Sequence, residues 1–205
     1  SFVRSRWFEP PFGGAGFCAM LLAAFDAMAA QPAEQRLLPP GQPLDLFVTV
    51  TDFQGFPVRL RLNTPVESLE SEHRLTLEFH DSGLGLLGHG AELTFAARST
   101  ASFPGAFPPF NVNELDQVLS ARQTPWPNRA SFLSRQLAGH ANPETAVLID
   151  GSVLANAPFA PAIRALRDRP ARREVDRRFV YIDPKPGRKA VRFTKSGNTA
   201  LPGFF

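Results

Sequence analysis

TAVLIDGSVLANAPFAPAIRALRD, residues 145–168, decides the fold. Thr145 to Asp150 is a continuous apolar run ending on an acid, which reads as a buried strand. Gly151 follows at once, and a helix restarts with Asn156 as its cap and Pro158 in its first turn. FVYID, residues 179–183, then reads as another buried strand. Strand, loop, helix and strand within about 40 residues form a βαβ unit, so the spacing predicts an α/β domain whose sheet is mixed and partly parallel.

Upstream, LDLFVTVT (44–51) is rich in β-branched and aromatic residues and predicts a buried strand. VRLRL (58–62) alternates apolar and basic side chains and predicts a half-exposed strand, with Gly55 and Pro57 of DFQGFP supplying a turn between the two. RLTLEFH (74–80) is a third strand. AELTFAARST (91–100), NELDQVLSAR (113–122) and RASFLSRQLAG (129–139) predict helices, the first ended by the prolines from Pro104 to Pro109 and the last by Gly139. GFCAMLLAAFDAMAA (16–30) is shorter than the roughly 20 apolar residues a bilayer needs and carries Asp26, so it reads as a buried helix. Its Cys18, the one cysteine of the chain, reads as a small core residue. The first residues, SFVRSRWFEPPF, lack the features of a signal peptide and read as an internal cut in a longer chain. Residues 191–205 read as an irregular tail to a single domain of residues 1–190.

Charge is unevenly spread. Residues 164–195 hold twelve Arg or Lys against four acids, whereas the chain as a whole has a net charge of +3. Such a segment suits anionic lipid headgroups, each nearby basic residue adding about 1 kcal/mol; the plain alternative is a solvated helix face and loop. Aromatic residues do not interleave with the basic ones, which argues against single-stranded nucleic acid.

An aspartate at the carboxyl end of a buried strand lies where open α/β sheets place ligands, although strand-end acids also cap the next helix. ARSTASFPGAFPPF (97–110), then LIDGSVLANAPFAPAI (148–163), then FVYIDP (179–184) resemble, in order, the second half of a patatin-like phospholipase domain. TVTDFQGFPVRLRL (49–62) is similar to the strand pair before the proline turn in bacterial patatin-related proteins. The resemblance covers roughly Asp45 to Pro186 and implies a three-layer α/β/α fold, here represented by its C-terminal part. It implies a lipid acyl hydrolase with a serine–aspartate dyad, in which Asp150 matches the base, and no cofactor. The family's Asp-Gly-Gly/Ala element stands here as Asp150-Gly151-Ser152, departing only in its small third residue. Gly151 is expected to let the backbone pass close to the nucleophile turn, Ser152 to be a turn residue, and Phe103, Pro104 and Gly105 to form the turn beside the site. Phe103, Phe107, Phe110 and Phe159 are candidates to line an acyl-chain channel.

No serine of the chain lies in G-x-S-x-G, and the glycine-rich oxyanion loop is missing as well. The nucleophile is therefore expected from an upstream part of the same parent chain, and these 205 residues alone are expected to be inactive. A catalytically inactive lipid-binding or scaffold module is the alternative. A second rival is a nucleotide-binding domain using Gly83-Leu84-Gly85-Leu86-Leu87-Gly88, which fits G-x-G-x-x-G but has the proline turn where a second strand should be. A triad through His89 or His140 has no elbow serine to serve, and the four histidines show no metal-ligand spacing. The partners implied are a phospholipid or related substrate and, through the basic segment, peripheral contact with a membrane; the expected setting is cytoplasmic or membrane-peripheral.

Overall fold

A computed structural model describes residues 13–31, 38–39, 41–64, 66–83, 87–155, 159–169, 171 and 173–182. The chain divides into two compact units, Ser1–Pro170 and Ala171–Phe205. The described residues of the second unit form neither helix nor strand. The expected strand FVYID is therefore not one: Val180 and Ile182 are exposed, and Asp183 lies outside the described residues. Within this unit Arg178 is paired with Asp176 at 2.8 Å.

The first unit is mixed α/β. Its elements run α1 (Gly14–Ala30), β1 (Leu44–Arg61), β2 (Glu67–Asp81), α2 (Gly90–Thr100), α3 (Val112–Ala121), α4 (Arg129–Gln136), β3 (Leu148–Asp150) and α5 (Phe159–Ala165). Among the described residues the cap expected at Asn156 and Pro158 cannot be placed, since both lie outside them. The strands form one sheet in the order β2-β1-β3. Both pairings are antiparallel, which overturns the expected parallel βαβ unit. The far side of β3 shows why no parallel neighbour sits there. Phe110 and Leu148 exchange two backbone hydrogen bonds of 2.8 Å, and Asp150 N–H donates to the Ser102 carbonyl at 3.1 Å. The loop after α2 thus occupies the flank on which a further strand would pair.

DFQGFP is likewise not a chain reversal. β1 runs through it, with its register against β2 shifting between Thr51 and Phe56. The buried Asp52 carboxylate accepts from Gln54 N–H (2.7 Å) and Gly55 N–H (2.9 Å), and Gly55 has φ +76°, so the glycine serves a bulge. The reversal comes later, between Leu62 and Val66, closed by Leu62 N–H donating to the Val66 carbonyl.

Before the bulge, Leu46, Val48 and Val50 lie opposite Phe79, Leu77 and Leu75, on one face of the sheet. Phe95 of α2 meets Phe110 and Phe132 edge-on at 5.1 and 5.4 Å, filling the core behind that face. The half-buried Trp126 leans against Phe95 and Phe132, as core packing requires. The outer edge of β2 is closed by a side chain. The Gln136 amide accepts from Glu78 N–H and donates to the Glu78 carbonyl at 2.9 and 2.7 Å, in the manner of a neighbouring strand.

α1 is not the buried helix expected. Only Gly14, Cys18 and Leu22, spaced four apart, are buried, while Met28 is 68% exposed. Apolar residues surround the helix, yet the fold covers a single narrow stripe. Cys18 is in the core as expected; burial, aided by the Glu114 charge, pushes its thiol up to about 12. No helix among the described residues is long and apolar enough to cross a membrane.

α1, α2 and α3 meet at Arg98, which is fully buried. Its guanidinium donates to both Glu114 carboxylate oxygens (2.8 and 3.2 Å), to Ser102 Oγ (2.6 Å) and to the Pro108 carbonyl (3.1 Å). Phe17, Phe107 and Phe110 surround it with ring centroids at 6.0, 5.9 and 5.6 Å. Gly14 is required beneath, because a Cβ there would collide with the Glu114 carboxylate. Removing one partner of such a pair strands a buried charge, so Glu114→Ala is expected to lower stability by about 3 kcal/mol, measured by urea unfolding, and a double Arg98→Leu/Glu114→Leu variant to recover part of it.

At the start of the second half of β2, Arg74's guanidinium and N–H hold the Glu72 carboxyl at about 2, opposed by slight burial and helped by His73 N–H. A depressed carboxyl stabilises the fold above its ordinary value of 4.5 and loses that contribution as pH falls through about 2. The stability difference between wild type and Glu72→Gln should accordingly be full above pH 4.5, shrink as the pH falls, and vanish below about 2, measured by urea midpoints across that range.

Candidate functional site

β3 carries Asp150 on its last residue, opposite Val50 of β1. Directly opposed residues of an antiparallel pair share a face, so Asp150 lies on the same face as Leu46 and Val48. Its backbone is held from both sides: its N–H donates to Ser102, and Thr51 Oγ1 donates to its carbonyl at 3.1 Å. The half-buried carboxylate accepts from Ser152 N–H at 2.7 Å, closing a turn over Gly151–Val153. Among the described residues no cation is paired with it.

Gly151 is buried, and a Cβ on it would run into the Thr49 carbonyl. The absence of a side chain thus lets the backbone pass close to the neighbouring strand β1. Ser152 is exposed and serves as the turn residue through its N–H.

The Phe103-Pro104-Gly105 turn begins one residue after Ser102, the acceptor of Asp150 N–H, so turn and strand end meet through backbone. Phe103 is 56% exposed, its carbonyl accepts from Ala106 and Phe107 N–H at 3.1 Å, and Gly105 adopts φ +90°. Two of the four candidate phenylalanines are engaged away from any channel. Phe110 is in the core and Phe107 stacks on Phe17 at 4.7 Å beneath Arg98, because the buried guanidinium claims both rings. Phe103 and Phe159 are exposed.

An apolar groove of about 690 Å³ lies elsewhere, lined among others by Phe25 and Met28 of α1, Leu46 and Val48 of β1, and Leu93 and Thr100 of α2. Thr100 Oγ1 donates to the Thr49 carbonyl at 2.9 Å, the same oxygen against which Gly151 packs. One end of the groove therefore abuts the segment that bears Asp150. Its signal in the sequence is slight: alternate apolar residues of LDLFVTVT and the small Ala96 and Ala97 on α2, which leave the space open.

The histidines are more engaged than their scatter suggests. His140 Nε2 pairs with the buried Asp52 carboxylate and its Nδ1 faces the Leu137 carbonyl at 3.3 Å, so neither ring nitrogen is left to take a serine proton. His73 Nδ1 lies 2.8 Å from the Asp52 carbonyl, and His89 caps α2 in a reciprocal box with Glu92. His80 and Arg169 both bind Asp45 at the rim of a cleft of about 540 Å³, which Arg164 of α5 also lines. Burial raises the Asp45 carboxyl, but the His80 and Arg169 hydrogen bonds outweigh it and hold it below the usual range. These pairs join residues 88, 35 and 124 positions apart, out of reach of any local motif. In the Gly83–Gly88 motif, Leu84, Gly85 and Leu86 lie outside the described residues. Of the basic segment, Arg164 and Arg167 are exposed, and Arg172 and the positions from Lys185 onward are outside them.

Gly151→Ala must push the Asp150 segment off β1; a stability loss of about 1–3 kcal/mol is expected, measured by thermal unfolding. No family model, curated protein or solved structure matches the chain.

Proposed function

We propose that this chain supplies the catalytic acid, Asp150, of a patatin-like lipid acyl hydrolase acting on carboxylic esters of phospholipids or related lipids, in a domain with helices on both faces of its sheet. The observation that carries it is the mounting of Asp150: a carboxylate without a cationic partner among the described residues, fixed by Ser102, Thr51 and Gly151, on the sheet face that lines an apolar groove. The ordered motifs around Phe103–Phe110 and Asp150-Gly151 support the same reading. A groove of this volume is in the range of small-molecule sites and suits an acyl chain.

In the dyad, the Asp150 carboxylate takes the proton of a serine hydroxyl as the serine oxygen attacks the ester carbonyl; the alcohol leaves, and water hydrolyses the acyl-enzyme. The chain has no G-x-S-x-G serine, so the nucleophile comes from outside these 205 residues. The second reading, an inactive lipid-binding module, is favoured by the hydrogen bond from Ser152 N–H, which gives Asp150 a capping role sufficient to explain its presence.

Hydrolysis of a short-chain chromogenic ester separates the two. Activity is expected only when the chain is extended upstream in its reading frame to include a G-x-S-x-G segment, and Asp150→Asn in that extended chain should lower it by about 10²–10⁴-fold. Activity of the 205-residue chain itself, unchanged by Asp150→Asn, would overturn the proposal; an inactive extended chain would leave the lipid-binding module.

A further inference from the structure

Beyond the bulge, β1 and β2 continue as a two-stranded arm in which no residue of 57–61 or 67–71 is buried. Its faces differ. Val58 lies opposite Glu70, Leu60 opposite Ser68, and Leu62 is bonded to Val66, so Val58, Leu60, Leu62 and Val66 form an apolar stripe along one face to the tip. Arg59, opposite Leu69, and Arg61, opposite Glu67, lie on the reverse face. On the stripe face Val66 is 73% exposed, and Glu70 and Ser68 lie beside Val58 and Leu60; Leu69, 69% exposed, lies with the arginines on the reverse face. The root is built to hold this arm in place: buried Asp52 binds Gln54 N–H, Gly55 N–H and His140, and the Phe56 ring packs 5.0 Å from the His140 ring.

We infer that the arm is a lipid-inserting finger that docks on the surface of a phospholipid bilayer. Four aliphatic side chains one residue wide offer on the order of a few hundred Å², short of the roughly 800 Å² per partner of a stable dimer, yet they suffice for shallow immersion. Arg59 and Arg61 sit level with Leu60 and Leu62, where long side chains reach back to lipid phosphates while the aliphatic stripe enters. The arm is not a basic patch, because Glu67 and Glu70 offset its two arginines, while Glu72 at its root is paired with Arg74. Docking is therefore driven by apolar insertion and depends little on anionic lipid. The choice of lipid as occupant rests on the hydrolase function proposed above.

The test is co-sedimentation of the 205-residue chain with vesicles of phosphatidylcholine alone and of phosphatidylcholine with phosphatidylserine. Binding to both is expected. Leu62→Asp/Val66→Asp should weaken it at least ten-fold with an unchanged thermal melt, while Arg164→Gln/Arg167→Gln and Asp150→Asn should bind like wild type. Failure of wild type to bind, equal binding by the arm variant, or binding only with phosphatidylserine would overturn the inference. So would a dimer without vesicles that the arm variant turns into monomers, which would assign the stripe to a second copy. Because binding is read without catalysis, an inactive esterase that still binds through the arm refutes the hydrolase and leaves the finger standing.

Discussion

A single buried guanidinium organises the first unit. Arg98 is worth its desolvation only if its buried nitrogens find acceptors, and Glu114, Ser102 and the Pro108 carbonyl accept from all three of them, from α3 and from the loop after α2. The pairing fixes three things at once: the packing of α1 over Gly14, the path of residues 102–110, and through Ser102 and Phe110 the flank of β3. Asp150 is placed by a carbonyl only four residues downstream of that arginine's own helix position, so the charge hub and the candidate acid are mechanically one assembly.

Much of the local structure was legible in the residues. The alternation in RLTLEFH, the β-branched run LDLFVTVT and the proline-terminated α2 all declare themselves, because period and punctuation are local properties. Strand direction is not local: TAVLID reads as buried either way, and what settles it is that β1 has taken one side of β3 and Phe110 the other. DFQGFP misleads for a related reason. Glycine and proline announce a departure from regular strand, and a long-range His140–Asp52 pair decides that the departure is a bulge. FVYID and the α1 sequence show the reverse failure, in which an apolar run is present and the fold leaves it uncovered.

The candidate site divides in the same way. Asp150 and Gly151 could be singled out because the end of a strand is visible in sequence, and the turn at Phe103–Gly105 because proline and glycine mark it. The groove could not, since a void is made by what small residues on α2 and alternate residues on β1 jointly omit. Nor could the engagement of Phe107 and Phe110 by Arg98, which removes them from any channel.

The bulge at Asp52 also separates two kinds of constraint. On its near side Val50, Thr51 and Asp52 of β1 are buried and answer to partners in the core. On its far side the residues answer only to whatever the arm touches, while the Asp52 clamp insulates the core from their changes. One continuous strand of 18 residues is thus held to two separate sets of constraints, packing on one side of the bulge and surface chemistry on the other.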